Sequence, residues 1–246
     1  MTPESLLLAL LFLAAATLYA SVGHAGASAY IAAMALLGLA PEVMRPTALV
    51  LNLFVAAIVV VRFAHAAHLP WRALIPLVAG SIPAAFLGGS IDLPGELYRP
   101  LVALVLLVGA WRLATATSPD DGSVPEGVPV VAGVVAGAAI GLLAGLTGTG
   151  GGIFLTPLLV LAAWTGTRDA AGLSGAFIGL NSIAGLAGLA TGGFTLPPAL
   201  PLWIAAVVAG GLIGSWLGAA RFSVIGLRRA LALVLVLAAA KFVFLP

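Results

Sequence analysis

The chain has 246 residues, 62% of them apolar, with only 10 basic and 8 acidic side chains, a charged share of 7% where a soluble domain carries ~25%. That composition excludes a soluble globular protein: a membrane-spanning helix takes ~20 apolar residues, so spanning helices consume the chain and leave no room for an aqueous domain or a nucleotide-driven motor. The formal net charge of +2 comes from scattered residues, which gives no polybasic footprint for nucleic acid, and with no cysteine there is no disulfide or thiolate metal site.

In chain order the apolar segments fall at 4–21, 27–39, 46–64, 72–91, 99–114, 129–147, 153–164, 171–191, 199–219 and 228–244. The first is preceded by Met1-Thr2-Pro3-Glu4, without the basic region of a signal peptide, so Ser5–Ala20 is expected to stay as a membrane helix. Segments 27–39 and 153–164 are short, and each follows a break containing glycine: Gly23-His24-Ala25-Gly26-Ala27-Ser28 and Gly148-Thr149-Gly150-Gly151-Gly152. Lipid cannot satisfy the N–H and C=O groups of non-helical backbone, so such breaks must be buried in protein or line a wet cavity. Thirteen residues of helix reach only ~20 Å, which favours incomplete crossing by the second and seventh segments.

The stretch 117–128 is the longest polar run and divides a first repeat, 1–116, from a second, 129–246. Val78–Gly88 aligns without gaps on Val208–Gly218, Arg99–Arg112 on Arg228–Lys241, and Asn52 on Asn181. Five segments per repeat place the second half in the membrane upside down relative to the first. With the N-terminus on one side, that side's loops carry Arg45, Arg99 and Lys241, and the other side's carry Arg62, Arg72, Arg112, Arg168, Arg221, Arg228 and Arg229. The basic excess marks the cytoplasm, so both termini are expected outside. The resulting fold class is an all-α polytopic membrane protein of two inverted repeats, roughly eight to ten transmembrane or half helices with glycine-rich breaks near the midplane.

Gly145-Leu146-Thr147-Gly148-Thr149-Gly150-Gly151-Gly152-Ile153-Phe154-Leu155-Thr156-Pro157 carries the most chemical information. Successive glycines free backbone N–H groups, and a helix opening at Ile153 adds the positive end of its dipole, an anion site with no buried cation. Thr147, Thr149 and Thr156 add hydroxyls. A phosphate-binding loop would need Lys then Ser or Thr where Ile153 and Phe154 stand, and a potassium filter would need fourfold assembly and a pore helix. Glycines serving close helix packing remain an alternative, since Gly133, Gly137, Gly141 and Gly145 form a small-residue ladder leading into the motif, as do Gly210, Gly214 and Gly218 further on.

In the first break His24 either donates to an anion or carries a proton, or bonds a carbonyl freed by the break; Gly23, Gly26 and Ser28 accompany it. Asn52 and Asn181, each inside an apolar run, serve as interhelical glue or as ligand contacts. Glu42 with Arg45, and Arg168 with Asp169, are expected to form local ion pairs or gate contacts, and His65 and His68 to lie at the interface. Asp92 and Glu96 are expected in loops. No carboxylate sits centrally in a span, and no cluster suits a metal or cofactor. Gly172-Leu173-Ser174-Gly175 has the form of an intramembrane serine protease, but no histidine follows it to act as base, so no enzyme is expected.

The glycine-rich Thr-Pro stretch at 145–157, its weaker partner at 21–31, the repeated segments and the short central loop resemble the sulfite exporter TauE/SafE family of membrane transporters. The resemblance implies a prokaryotic inner-membrane permease for a small inorganic or organic sulfur anion such as sulfite or an organosulfonate, with the lipid bilayer as its surroundings; self-association is left open. The residues themselves lead to the expectation that the two breaks meet near the midplane around the anion, with Gly148, Gly150, Gly151 and Gly152 as backbone donors, Thr147, Thr149 and Ser28 as side-chain donors, and His24 as donor or proton carrier. His24 and Ala25 depart from the family's glycine-rich pattern. A small-anion channel and a non-transporting assembly protein are the alternatives. Gly151→Val is expected to abolish flux with folding intact.

Overall fold

The computed structural model describes residues 2–66, 68–115, 127–219 and 225–244, and the polar residues Asp120, Asp121 and Glu126 and the basic Arg221 lie outside them. Among the described residues the chain is ten α-helices: α1 (Pro3–Ser21), α2 (Ala27–Leu36), α3 (Pro41–His65), α4 (Trp71–Ser90), α5 (Gly95–Thr115), α6 (Val130–Thr147), α7 (Gly152–Leu161), α8 (Thr167–Ala190), α9 (Leu200–Ala219) and α10 (Ile225–Phe244). Each apolar segment of the sequence is one helix. Six of them, α1, α3, α4, α6, α8 and α9, are long and apolar enough to cross a membrane. The short pair, α2 and α7, have ten residues each and reach ~15 Å, half of a hydrocarbon core of ~30 Å.

Several boundaries differ from expectation by three residues or more, and two of them move residues expected in loops into helices. Helix α3 begins at Pro41, with Pro in the first turn and Glu42 exposed beside it, because proline suits the N-terminal turn, where its missing N–H costs nothing. Arg45 therefore lies in a helix and not in a loop. Helix α5 begins at Gly95, so Glu96 lies in its first turn and not in a loop.

Large apolar side chains on the outer faces, among them Leu10, Ile75, Val131, Leu161 and Trp216, are more than half exposed. A water-soluble monomer does not tolerate so large an apolar surface, and in a bilayer it faces lipid. Inside, α4 packs on α6, α1 on α9, α3 on α8 and α5 on α10. Advancing each helix number by five carries α1/α9 onto α6/α4 and returns α3/α8 and α5/α10 to themselves.

The glycine ladders make the first two of these pairings. A Cβ at Gly137 would run into the carbonyl of Leu77, at Gly141 into Ser81 and at Gly145 into Ala85; on the other pair Gly210 and Gly214 meet the backbone of Leu13 and Thr17. Helix axes this close are available only to small residues. Gly137→Val is expected to lower the unfolding midpoint in detergent by an amount equivalent to about 1–3 kcal/mol or more; an unchanged midpoint would contradict direct backbone contact.

Candidate functional site

Both breaks are built on left-handed glycines. Gly23 and Gly26 have φ of 84° and 102°, and Gly148, Gly150 and Gly151 have φ of 81°, 74° and 82°, a region that costs residues with a Cβ. Gly26 and Gly151 are the N-caps of α2 and α7, and neither helix has a side-chain cap. In the second break Gly148 N–H closes on Ala144 O, and the next helical donors, Phe154 and Leu155, both return to Gly151 O. The N–H groups of Thr149, Gly150, Gly151, Gly152 and Ile153 take no acceptor among the described residues. In the first break the same holds for Ala25, Gly26, Ala27 and Ser28. Runs of buried N–H groups without partners are rare in folded proteins.

Helices α3 and α8 line the second break. Gly148 lies against Arg45, Gly150 against Asn52 Nδ2, Ile178 and Ser182, and Gly152 against Ile178 and the His24 ring. Asn52, Asn181 and Ser182 are 0% exposed. Asn52 Nδ2 donates to Ser182 Oγ at 3.4 Å, while Asn52 Oδ1 and both amide atoms of Asn181 have no hydrogen-bond partner among the described residues. Ser182 went unnoticed in the sequence, although it directly follows Asn181.

The two breaks meet at His24. Its Nε2 is 3.2 Å from Gly152 O and 3.0 Å from Thr156 Oγ1, and its Nδ1 is 3.2 Å from Val22 O. Thr156 Oγ1 is 2.6 Å from Ser174 Oγ, so the hydroxyl with the protease-like neighbours meets a threonine. On the other face of the first break, Gly23 packs against Ala171 of α8.

Several expected roles change. Thr147 Oγ1 donates to Leu143 O at 2.7 Å and lies 2.8 Å from Thr149 Oγ1, so Thr149 donates to Thr147 and both hydroxyl protons are spent inside the protein. The Ser28 hydroxyl is paired with the Tyr19 hydroxyl at 2.8 Å. Gly151 is crowded: an added Cβ would stand 2.8 Å from Ile140 Cγ2 and 3.0 Å from Phe177 Cε1. Gly151→Val therefore perturbs packing as well as the site, and lost flux would not isolate the backbone donor.

Neither expected ion pair forms. Arg45 is 6% exposed and turns away from Glu42: Nε donates to Gly145 O at 2.8 Å, Nη1 to Ile91 O at 3.1 Å, and Nη2 to Gly89 O at 3.0 Å and to Gly88 O. These carbonyls end α4 and α6, where the helix dipoles present partial negative charge. The second break thus has a buried guanidinium beside it, contrary to a site free of cations. Asp169 bonds His68 Nδ1 at 2.9 Å across from the α3–α4 connection, with Arg168 exposed beside it.

A cleft of about 490 Å³ lined by Glu4, Leu8, Leu39, Pro198 and Trp203 shares no residue with the breaks and is mainly apolar. Among the described residues no cluster of His, Asp and Glu could hold a metal ion.

Comparison with known proteins agrees with this architecture. The model of the family described as Sulfite exporter TauE/SafE matches residues 7–242. The chain is 38% identical over 244 residues to the "Probable membrane transporter protein y4hK" of Sinorhizobium fredii (strain NBRC 101917 / NGR234), covering 98% of this chain and 99% of that one. No solved structure matches. With ten helices, paired breaks and a match along nearly its whole length, the chain belongs to the sulfite exporter TauE/SafE family of membrane transporters.

Proposed function

We propose that the chain is a secondary transporter of a small anion, sulfite or an organosulfonate, which binds where the two breaks meet. The observation that carries this reading is the run of five N–H groups, Thr149 to Ile153, without acceptors at the start of α7. Such a run, with the helix dipole behind it, solvates an anion without a direct ion pair. Asn52, Asn181 and Ser182 add neutral polar groups, and Arg45, its hydrogen bonds spent on carbonyls, adds one positive charge whose field is weakly screened in an apolar interior.

The recurring helix pairings support two halves, 1–116 and 129–246 joined by 117–128, that are inverted relative to one another and rock about the α3/α8 contact to open the site to each side in turn. The basic residues support a bacterial inner-membrane orientation with both termini outside.

Purified protein in liposomes should take up labelled sulfite or sulfoacetate with saturation and show counterflow against unlabelled anion. Flux that rises linearly with concentration and lacks counterflow would identify a channel. No flux, and no thermal stabilisation by either anion, would identify a packing protein without a transport role.

A further inference from the structure

Asn181 of α8 is 0% exposed, and neither end of its amide has a hydrogen-bond partner among the described residues. Side chains on a helix lean back over the preceding turn, so Asn181 covers Phe177 and Ile178. Both of these touch the second break: Phe177 lies against Gly151, and Ile178 against Gly150 and Gly152. One turn further on, Gly185 packs on Gly145 near the end of α6. The amide is therefore held among residues that line the break, where the N–H groups of residues 149–153 also take no acceptor among the described residues.

The two kinds of unpaired group require different partners. Backbone N–H groups donate, and the oxygens of a sulfonate satisfy them. A primary amide has a donating nitrogen and an accepting oxygen, whichever way it is turned. A sulfonate group carries no proton at neutral pH, so it meets the nitrogen of Asn181 and leaves the oxygen bare. Burying that oxygen unpaired is unfavourable, and a ligand that brings its own donor removes the penalty. Asn52 differs, because its amide faces the Ser182 hydroxyl, which both donates and accepts. The nature of the donor is constrained as well. The guanidinium of Arg45 lies beside Gly148, and α7 presents the positive end of its dipole to the break. Both act against an ammonium group, and neither acts against a neutral hydroxyl.

We infer that the site selects sulfonates that carry a hydroxyl, with Asn181 as the specificity-determining residue: its Oδ1 accepts from the substrate hydroxyl while the break N–H groups hold the sulfonate. This rests on the anion-transport reading above and narrows the substrate within it. An apolar cavity of the same shape would not make this choice, because it rejects an added hydroxyl only weakly, whereas a buried acceptor penalises every ligand that lacks the donor.

The test is counterflow of labelled sulfite in liposomes holding the full chain, with three competitors of equal charge. These are hydroxyethanesulfonate, propanesulfonate, in which a methyl group replaces the hydroxyl, and the shorter ethanesulfonate. With the wild type, hydroxyethanesulfonate should compete about 10-fold to about 100-fold better than either of the others. The two alkanesulfonates bracket its length, so size does not produce that order. In Asn181→Leu the advantage should fall to about one, a ratio that a general loss of binding or of folded protein does not change. Asn52→Leu should lower transport and keep the advantage. Three competitors of equal strength in the wild type would mean that water meets the Asn181 oxygen, and would overturn the inference while leaving anion transport standing. An advantage that survives in Asn181→Leu would do the same. No counterflow of sulfite or sulfoacetate in the wild type would overturn the transport reading and this inference with it.

Discussion

Arg45→Met is expected to cost about 3–5 kcal/mol of stability, enough to remove most folded protein from a detergent extract. The guanidinium gathers carbonyls from Gly88, Gly89 and Ile91 at the end of α4 and from Gly145 near the end of α6. Methionine fills similar space, but leaves those oxygens in an apolar interior with nothing to accept from, at the two helix ends where partial negative charge already accumulates. Arg45→Lys should recover part of the loss, because an ammonium reaches one or two of the oxygens and lacks the planar fork that spans all four. Thermal unfolding followed by size-exclusion chromatography would rank wild type above Lys and Lys above Met. A Met variant with the wild-type midpoint would mean that the arginine is held for its field at the break and not as a clamp on α4 and α6.

The same residue shows where sequence reading stops. Glu42 stands three positions before Arg45, the spacing at which helical side chains meet, so a local pair is the natural expectation. The partners chosen instead lie 43 to 100 residues away, brought there by glycine-mediated contact of α4 with α6. His68 and Asp169, 101 residues apart, form their pair for the same reason. Helix number and the two breaks were legible because they depend on local properties: runs of apolar residues long enough to form helices, and glycines in a conformation other residues avoid. Hydroxyl direction was not. Thr147 and Thr149 look like donors in sequence, and only the carbonyl of Leu143, one turn back, reveals that their protons are already used.

The offset that carries Asn52 onto Asn181 carries Arg45 onto Ser174. The second break is therefore backed by a cation held on carbonyls, while the corresponding position on α8 carries a hydroxyl that meets Thr156, which in turn meets His24 of the first break.

Asn181→Leu should separate stability from transport. Both amide atoms of Asn181 are buried without a hydrogen-bond partner among the described residues, and leaving such a group unsatisfied costs about 1–3 kcal/mol. Leucine has nearly the same shape and no polar atom, so the folded protein should keep or slightly raise its unfolding midpoint. An amide retained for interhelical bonding predicts the opposite, a lower midpoint. If the amide instead contacts the passing anion, uptake of sulfite or sulfoacetate at subsaturating concentration should fall by about 10-fold to about 100-fold, corresponding to about 1.4–2.7 kcal/mol of lost interaction. Asn52→Leu provides the contrast. Its Nδ2 already donates to Ser182, so that substitution should lower both uptake and stability, the second by about 1 kcal/mol. An Asn181→Leu protein that is as stable as wild type and transports as well would remove α8's asparagine from the site and leave the backbone donors of residues 149–153 to hold the anion with Asn52 alone.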